Sequence, residues 1–146
     1  MTDGCCVPHD APDPRVLEVR AWLARASEDL RAGRHDLTAS PPLLNDAAFH
    51  APHCAEKALN AVLVHTETPF RKTHNLTELG AGVVRVAPSL NEVARKASLL
   101  TEFAWRFRYL GDPVTINVAD AERAIELAAR TLDSILAALP SMCRSV

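Results

Sequence analysis

Residues 47–63 read A-A-F-H-A-P-H-C-A-E-K-A-L-N-A-V-L, and small apolar side chains recur in this stretch every three or four residues. These side chains belong to Ala48, Ala51, Ala55, Ala58 and Val62. The spacing predicts an α-helix that buries one face. Pro52 lies inside the pattern, and a proline removes a backbone donor and crowds the preceding turn. We therefore expect either a kink at Pro52 or a helix that begins near it, with residues 46–51 as a separate turn.

Four other segments show the same spacing, and prolines separate the five segments from one another. Their apolar residues run from Val16 to Leu30, from Leu76 to Val86, from Leu90 to Phe107 and from Ala121 to Leu139. The prolines are Pro41-Pro42, Pro69, Pro88, Pro113 and Pro140. The chain also holds 24 Ala and 18 Leu, which are strong helix formers. Together these features predict an all-α, five-helix up-and-down bundle.

The predicted bundle occupies residues 15–140 of the 146. Residues 1–14 contain three prolines and no apolar run, so we expect an irregular N-terminal tail. We also expect a C-terminal tail over residues 141–146. A chain of this length is typical of one domain.

The composition excludes several classes of protein. The formal net charge is −2, which argues against coating nucleic acid by bulk charge and leaves only a local basic patch for that purpose. No stretch approaches the roughly 18 consecutive apolar residues of a membrane span, and no N-terminal segment resembles a signal peptide. The four cysteines form no C-x-x-C pair. We expect a reduced, cytoplasmic protein that binds no membrane.

A metal site is one hypothesis for the predicted helix over residues 47–63. His50, His53 and Cys54 lie at i, i+3 and i+4, so two or three of them could face one ion. Pro52 disturbs that geometry, and no second His–Cys cluster accompanies the three residues. We expect no metal ion and no other cofactor.

The same helix presents a polar face. His53, Glu56, Lys57 and Asn60 lie at i, i+3, i+4 and i+7, which places them on one side of a helix. Such a face is either solvated or part of a site.

The fourth segment also groups functional residue types. Glu102, Trp105, Arg108 and Tyr109 share a face. Trp, Tyr and Arg are enriched at interfaces and stacking sites. The alternative is that Trp105 widens the apolar core beside Ala104.

A basic segment precedes the third predicted helix. Residues 70–76 read F-R-K-T-H-N-L, with Arg71, Lys72 and His74 before a helix that Thr73 could cap. Free N–H groups and the helix dipole favour an anion at such a place. The alternative is an exposed loop.

These elements together resemble the HEPN domain family. The resemblance rests on H-C-A-E-K-A-L-N-A at 53–61, R-K-T-H-N-L at 71–76, R-Y-L-G-D at 108–112 and A-D-A-E-R-A-I-E-L-A-A-R at 119–130. It implies a helical bundle that forms a homodimer and binds nucleotides. It also implies a partnership with a minimal nucleotidyltransferase in a toxin–antitoxin-like pair. Many members of the family are metal-independent ribonucleases with an R-x4-6-H motif near the end of the fourth helix.

The sequence departs from that catalytic motif, because no histidine follows Arg106 or Arg108 and the last histidine is His74. We therefore expect a non-catalytic domain that binds a nucleotide or RNA phosphate. The expected ligand-binding residues are Lys57, Arg71, Lys72, His74, Arg108 and Tyr109, and the supporting residues are His53, Glu56 and Asn60. We expect Glu56 to orient Lys57 or Arg108.

Two alternatives remain open. One is a metal-independent ribonuclease in which His74 acts as the base and Arg108 stabilises the phosphorane charge. The other is a dimeric interaction module with Trp105 and Tyr109 in its interface.

Overall fold

Helices form all the regular structure that the computed structural model describes, in residues 11–106 and 116–144, and no strand occurs in these ranges. The side chains of residues 104–106 also lie outside the described part. The helices are α1 (Pro14–Thr38), α2 (Leu44–His65), α3 (Leu76–Val86), α4 (Asn91–Ser98), α5 (Thr101–Arg106), α6 (Val118–Ala138) and α7 (Ser141–Arg144), with a 3₁₀ turn at Pro88–Leu90. The predicted all-α class is confirmed.

Two segments differ in detail from the sequence-based expectation. The predicted fourth helix is divided, because α4 ends at Ser98 and α5 begins at Thr101. The predicted C-terminal tail forms α7 over most of its length. Arg20 Nε on α1 donates a hydrogen bond to the Met142 carbonyl at 2.7 Å, and Cys143 is buried. These contacts hold α7 against α1.

Pro52 does not delay the start of α2, which runs without interruption from Leu44 to His65. The alternative of a separate turn over residues 46–51 is therefore wrong. Small residues precede the proline in the helix, and Ala48 and Ala51 are fully buried. Their burial shows that α2 packs closely against its neighbours through the turn that precedes the proline. The predicted kink stays a prediction.

The contacts between helices show how they are oriented. On α2, His50 lies beside Asp36 and Lys57 lies beside Asp29, so α2 runs antiparallel to α1. The segment 66–75 then returns along α2, because His74 reaches Glu56. Consequently α3 starts beside the middle of α2 rather than at its end. Because Gly82 lies against Leu63, α3 then runs in the same direction as α2, and the strict up-and-down alternation is not kept at this connection.

The core forms along the predicted stripes, with α2 at the centre because it packs against α1, α3, α5 and α6. The buried residues include Val19, Leu23, Ala55, Ala58, Leu79, Val83, Ala97, Ile125, Leu132 and Ile135. Val86 at the end of α3 is an exception, since 39% of its surface is exposed. Burial of these stripes supplies most of the driving force for folding.

None of the helices in the described ranges has both the length and the apolar character needed to cross a bilayer.

Candidate functional site

Polar side chains meet between α1 and α2 in a cluster around Asp29. One Asp29 oxygen accepts a hydrogen bond from Lys57 Nζ, and the other lies 3.0 Å from His50 Nδ1. His50 Nε2 is 3.7 Å from Asp36. Asp29 is only 13% exposed in its side chain. The predicted phosphate ligand Lys57 therefore has a carboxylate partner inside the helix interface.

The spacing of the sequence explains this cluster. Asp29 and Asp36 are seven residues apart on α1, and His50 and Lys57 are seven residues apart on α2. Residues with this separation share one helix face, so two antiparallel helices bring the acidic pair against the basic pair. Neither aspartate was among the residues predicted from the sequence. Their spacing on one face of α1 was the signal that could have found them.

A second group joins α2 to the segment before α3. His74 Nδ1 lies 2.8 Å from Glu56 Oε2. The His53 and His74 rings are in edge-to-face contact, with their centroids 5.7 Å apart. His53, Glu56 and His74 each offer one nitrogen or oxygen atom that could bind a metal, and these three atoms lie within 4.8 Å of one another. Three predicted site residues therefore converge, and Glu56 orients His74 rather than Lys57.

Burial sets the electrostatics of this group. The His53 ring packs edge to face against the Phe49 ring, with the two ring centroids 4.3 Å apart. Desolvation lowers the pKa of His53 below its usual 6.5, with the charge of Lys57 acting in the same direction and that of Glu56 opposing it. His53 is therefore held neutral near pH 7. The ionised Glu56 carboxylate can only accept a hydrogen bond, so His74 donates from Nδ1 and leaves Nε2 available on an imidazole that is 56% exposed.

The basic segment is organised by side chains at the start of α3. Asn75 caps the helix, because its Oδ1 accepts hydrogen bonds from the Thr77 and Glu78 amides at 3.0 and 3.2 Å. The expected cap by Thr73 is wrong, since its hydroxyl accepts from the Asn75 amide, which precedes the helix. Two of the N–H groups that were expected to attract an anion are thus occupied by Asn75. An anion here must be bound chiefly by side chains.

Arg71 forms a bidentate ion pair with Glu78 on α3. Its Nε and its terminal Nη2 donate to the two Glu78 oxygens at 3.1 and 2.6 Å. This hydrogen-bonded pair raises the pKa of Arg71 and lowers that of Glu78. Lys72 is exposed beside it. The guanidinium is therefore oriented by Glu78 and remains accessible on its other edge.

A cleft of about 310 Å³ opens next to Arg71. Its wall includes the apolar side chains of Phe70, Leu79 and Val86, and its polar lining includes Arg71, Glu78 and Arg85. Arg85 was not among the residues predicted from the sequence. Arg85 lies seven residues after Glu78, and residues with this spacing lie on the same face of a helix. This spacing is the signal that would have placed Arg85 here.

Two predicted residues on α2 lie away from these groups. Asn60 is only 4% exposed, and its Oδ1 has no hydrogen-bond partner in the described part of the chain. Cys54 is fully buried, with its sulfur facing the Ala128 carbonyl at 3.9 Å. Burial raises the pKa of this thiol to about 12. Cys54 therefore does not join His50 and His53 as a metal ligand.

The remaining predicted residues of the site, Arg108 and Tyr109, lie outside the described residues, as does the side chain of Trp105.

The comparisons with known proteins agree with the helical architecture. A family model described as the HEPN domain matches residues 19–137. No curated protein matches the chain, and no solved structure matches it. The matched range extends from the first turns of α1 almost to the end of α6, and it includes the Glu56–His74 group and the cleft beside Arg71. The chain therefore belongs to the HEPN domain family.

Proposed function

We propose that this HEPN domain binds the phosphate of a nucleotide or of RNA at the cleft beside Arg71, and that it does not cleave RNA. The observation that supports the proposal is the pairing of two arginines with an apolar wall. Arg71 and Arg85 line a cleft of about 310 Å³ that also presents Phe70. Ligand pockets commonly have volumes of about 300–1,000 Å³.

The two sides of the cleft suit the two parts of a nucleotide. An arginine guanidinium binds phosphate oxygens through paired donors, and a base can pack on an aromatic or aliphatic side chain. Glu78 is the one carboxylate of the cleft lining, and its ion pair with Arg71 cancels one positive charge, so Arg85 leaves the lining with a net positive charge. Lys72, exposed in the adjacent segment, adds a further positive charge.

The proposed absence of catalysis follows from the missing motif. Histidine does not occur after His74 in the sequence, so the arginine-rich end of the fourth predicted helix has no imidazole near it in sequence to act as a general base. Binding without cleavage is consistent with a partner role. We propose that the chain acts as a homodimer with a nucleotidyltransferase, in a toxin–antitoxin-like pair in the cytoplasm, where Cys54 and Cys143 stay reduced.

The test compares binding by the wild type with binding by arginine variants. ATP, GTP and a fluorescein-labelled single-stranded RNA are titrated against wild type, Arg71→Gln and Arg85→Gln. Arg130→Gln is the matched control, because Arg130 is an exposed arginine on α6 whose partner is Glu126. We expect each cleft variant to weaken binding of at least one probe by tenfold or more, with the control unchanged. Equal affinities in all four proteins would refute the proposed cleft.

The ribonuclease alternative has a specific observation in its favour. The Glu56–His74 contact fixes Nδ1 as the donor and leaves a lone pair on Nε2 of an imidazole that is 56% exposed. A carboxylate imposes this arrangement on a general-base histidine. Under this alternative, RNA cleavage persists in EDTA and disappears in His74→Ala. Under our proposal the RNA stays intact with both proteins.

A further inference from the structure

We propose that His53, Glu56 and His74 form a binding site for Zn²⁺. This inference is independent of the proposed phosphate cleft, because neither Arg71 nor Arg85 belongs to the group. It also departs from the sequence-based expectation of no metal, which considered a different set of residues on α2.

The geometry of the three donors supports the site. The chosen ligand atoms lie within 4.8 Å of one another. Around a tetrahedral zinc with bonds of about 2.0–2.1 Å, donors are separated by about 3.3–3.5 Å. Side-chain rotations of modest size close that difference. His53 and Glu56 are one helical turn apart on α2, and His74 approaches from the segment before α3, so the ion would join two parts of the chain.

The state of each donor also fits a metal. His53 has no hydrogen-bond partner among the described residues, although its ring lies in a half-buried position against Phe49. A half-buried imidazole without a partner has a lone pair available for coordination. The Glu56 side chain is only 15% exposed. An ion would neutralise this carboxylate and also bind the imidazole left without a partner.

The donor set selects the ion and its coordination. Two imidazoles and one carboxylate form a ligand set that zinc uses, usually with a fourth position open to water or a substrate. The 56% exposure of His74 leaves that fourth position accessible. Oxygen-seeking ions such as Mg²⁺ and Ca²⁺ prefer sites with more carboxylates and no imidazole.

The test uses the full chain with Cys5→Ser and Cys6→Ser, because thiols near the N-terminus bind zinc themselves. Zn²⁺ is titrated by calorimetry in a buffer free of phosphate, and Co²⁺ is titrated by absorption spectroscopy. We expect one ion per chain. The Co²⁺ spectrum should show the strong visible bands of a low-coordinate site without the sulfur-to-metal charge-transfer band that a thiolate ligand produces.

Three variants remove the donors one at a time: His53→Ala, Glu56→Gln and His74→Ala. We expect each to weaken Zn²⁺ binding by tenfold or more, whereas His35→Ala, which removes an exposed histidine of α1, leaves it unchanged. Glu56→Gln preserves the shape of the side chain, and His74 is half exposed, so these two variants decide the outcome if His53→Ala fails to fold. Absence of binding, or binding that all three variants retain, would overturn the zinc site.

Discussion

His74 Nδ1 lies 2.8 Å from Glu56 Oε2, although the two residues are 18 positions apart in the sequence. This contact ties the segment before α3 to the middle of the central helix α2. It also fixes which nitrogen of His74 carries a proton, because an ionised carboxylate can only accept. The imidazole that carries the other nitrogen, Nε2, is 56% exposed.

We predict that neutral His74 is protonated at Nδ1. In ¹⁵N-labelled protein with EDTA present, long-range ¹H–¹⁵N spectra should show this tautomer for His74 and a mixture dominated by Nε2–H for the exposed His35. In Glu56→Leu the His74 cross-peaks should change to the tautomer pattern of His35. An unchanged His74 pattern in the variant would show that Glu56 does not orient the ring.

Removing the Asp29 carboxylate should destabilise the α1–α2 interface. Asp29→Ala leaves Lys57 partly buried without its carboxylate partner and leaves His50 with only Asp36, 3.7 Å away. We expect a loss of about 1–2 kcal/mol in the free energy of unfolding, near the lower end for an unpaired charge because both side chains can regain some water. Urea unfolding measures this loss. Glu126→Ala removes an exposed pair with Arg130 and should have no measurable effect. Equal losses in the two variants would contradict the role of Asp29.

Two glycine substitutions should have opposite effects. A Cβ at Gly33 would overlap Ile125 Cδ1, which can rotate away, and would lie 3.3 Å from the Ala47 carbonyl oxygen, which is part of the backbone of α2. Overpacking of about 1–3 kcal/mol should exceed the gain of about 1 kcal/mol in helix propensity, so Gly33→Ala should be destabilising. A Cβ at Gly82 meets Leu63 at an ordinary 3.6 Å. Gly82→Ala should therefore be neutral or stabilise α3 by up to about 1 kcal/mol through helix propensity. Thermal unfolding of both variants checks the difference, and a stabilised Gly33→Ala would refute the close helix approach.

The thiol of Cys54 should be unreactive in the folded protein. With a pKa of about 12, the thiolate fraction at pH 8 is on the order of 10⁻⁴, and burial blocks access as well. In a Cys5→Ser, Cys6→Ser background, iodoacetamide should label Cys54 only at the rate of unfolding, as mass spectrometry of the peptides would show. Rapid labelling under native conditions would place Cys54 outside the core.

Acidification should reveal the neutral state of His53. Its folded pKa is lowered by burial from the usual 6.5, so below about pH 6.5 the unfolded chain binds more protons than the folded chain. The contribution of His53 to stability is therefore present above 6.5 and decreases as the pH falls toward the folded pKa. As the pH is lowered from 7.5 to 5, the free energy of unfolding of the wild type should therefore fall relative to that of His53→Gln. A difference that is constant with pH would contradict the shifted pKa.

The positions of most helices were predictable because apolar spacing is a local property of the sequence. The stripes through Val19, Ala55 and Ile125 are buried as predicted. The division of the fourth helix and the docking of α7 were not predictable, because they depend on how distant segments pack. The contact of Arg20 with Met142 shows this for α7.

The candidate site was predictable in its residue types and less so in its pairings. The motifs singled out Glu56, His74 and Arg71, but no sequence pattern indicated that Glu56 would bind His74. Lys57 and Arg71 were expected to bind one anion, and the structure gives them separate carboxylate partners, Asp29 and Glu78. Such pairings arise from the relative placement of helices, which periodicity alone does not determine.

The most direct test of the central claim, phosphate binding without cleavage, is a time course of fluorescence anisotropy. A fluorescein-labelled single-stranded RNA is mixed with the wild-type protein in EDTA and followed over hours, beside Arg71→Gln and Arg130→Gln. We predict that anisotropy rises on mixing and stays constant for wild type and Arg130→Gln, and rises much less for Arg71→Gln. No rise with wild type would contradict binding, and a rise followed by a decay below the starting value would show that the protein cleaves the RNA.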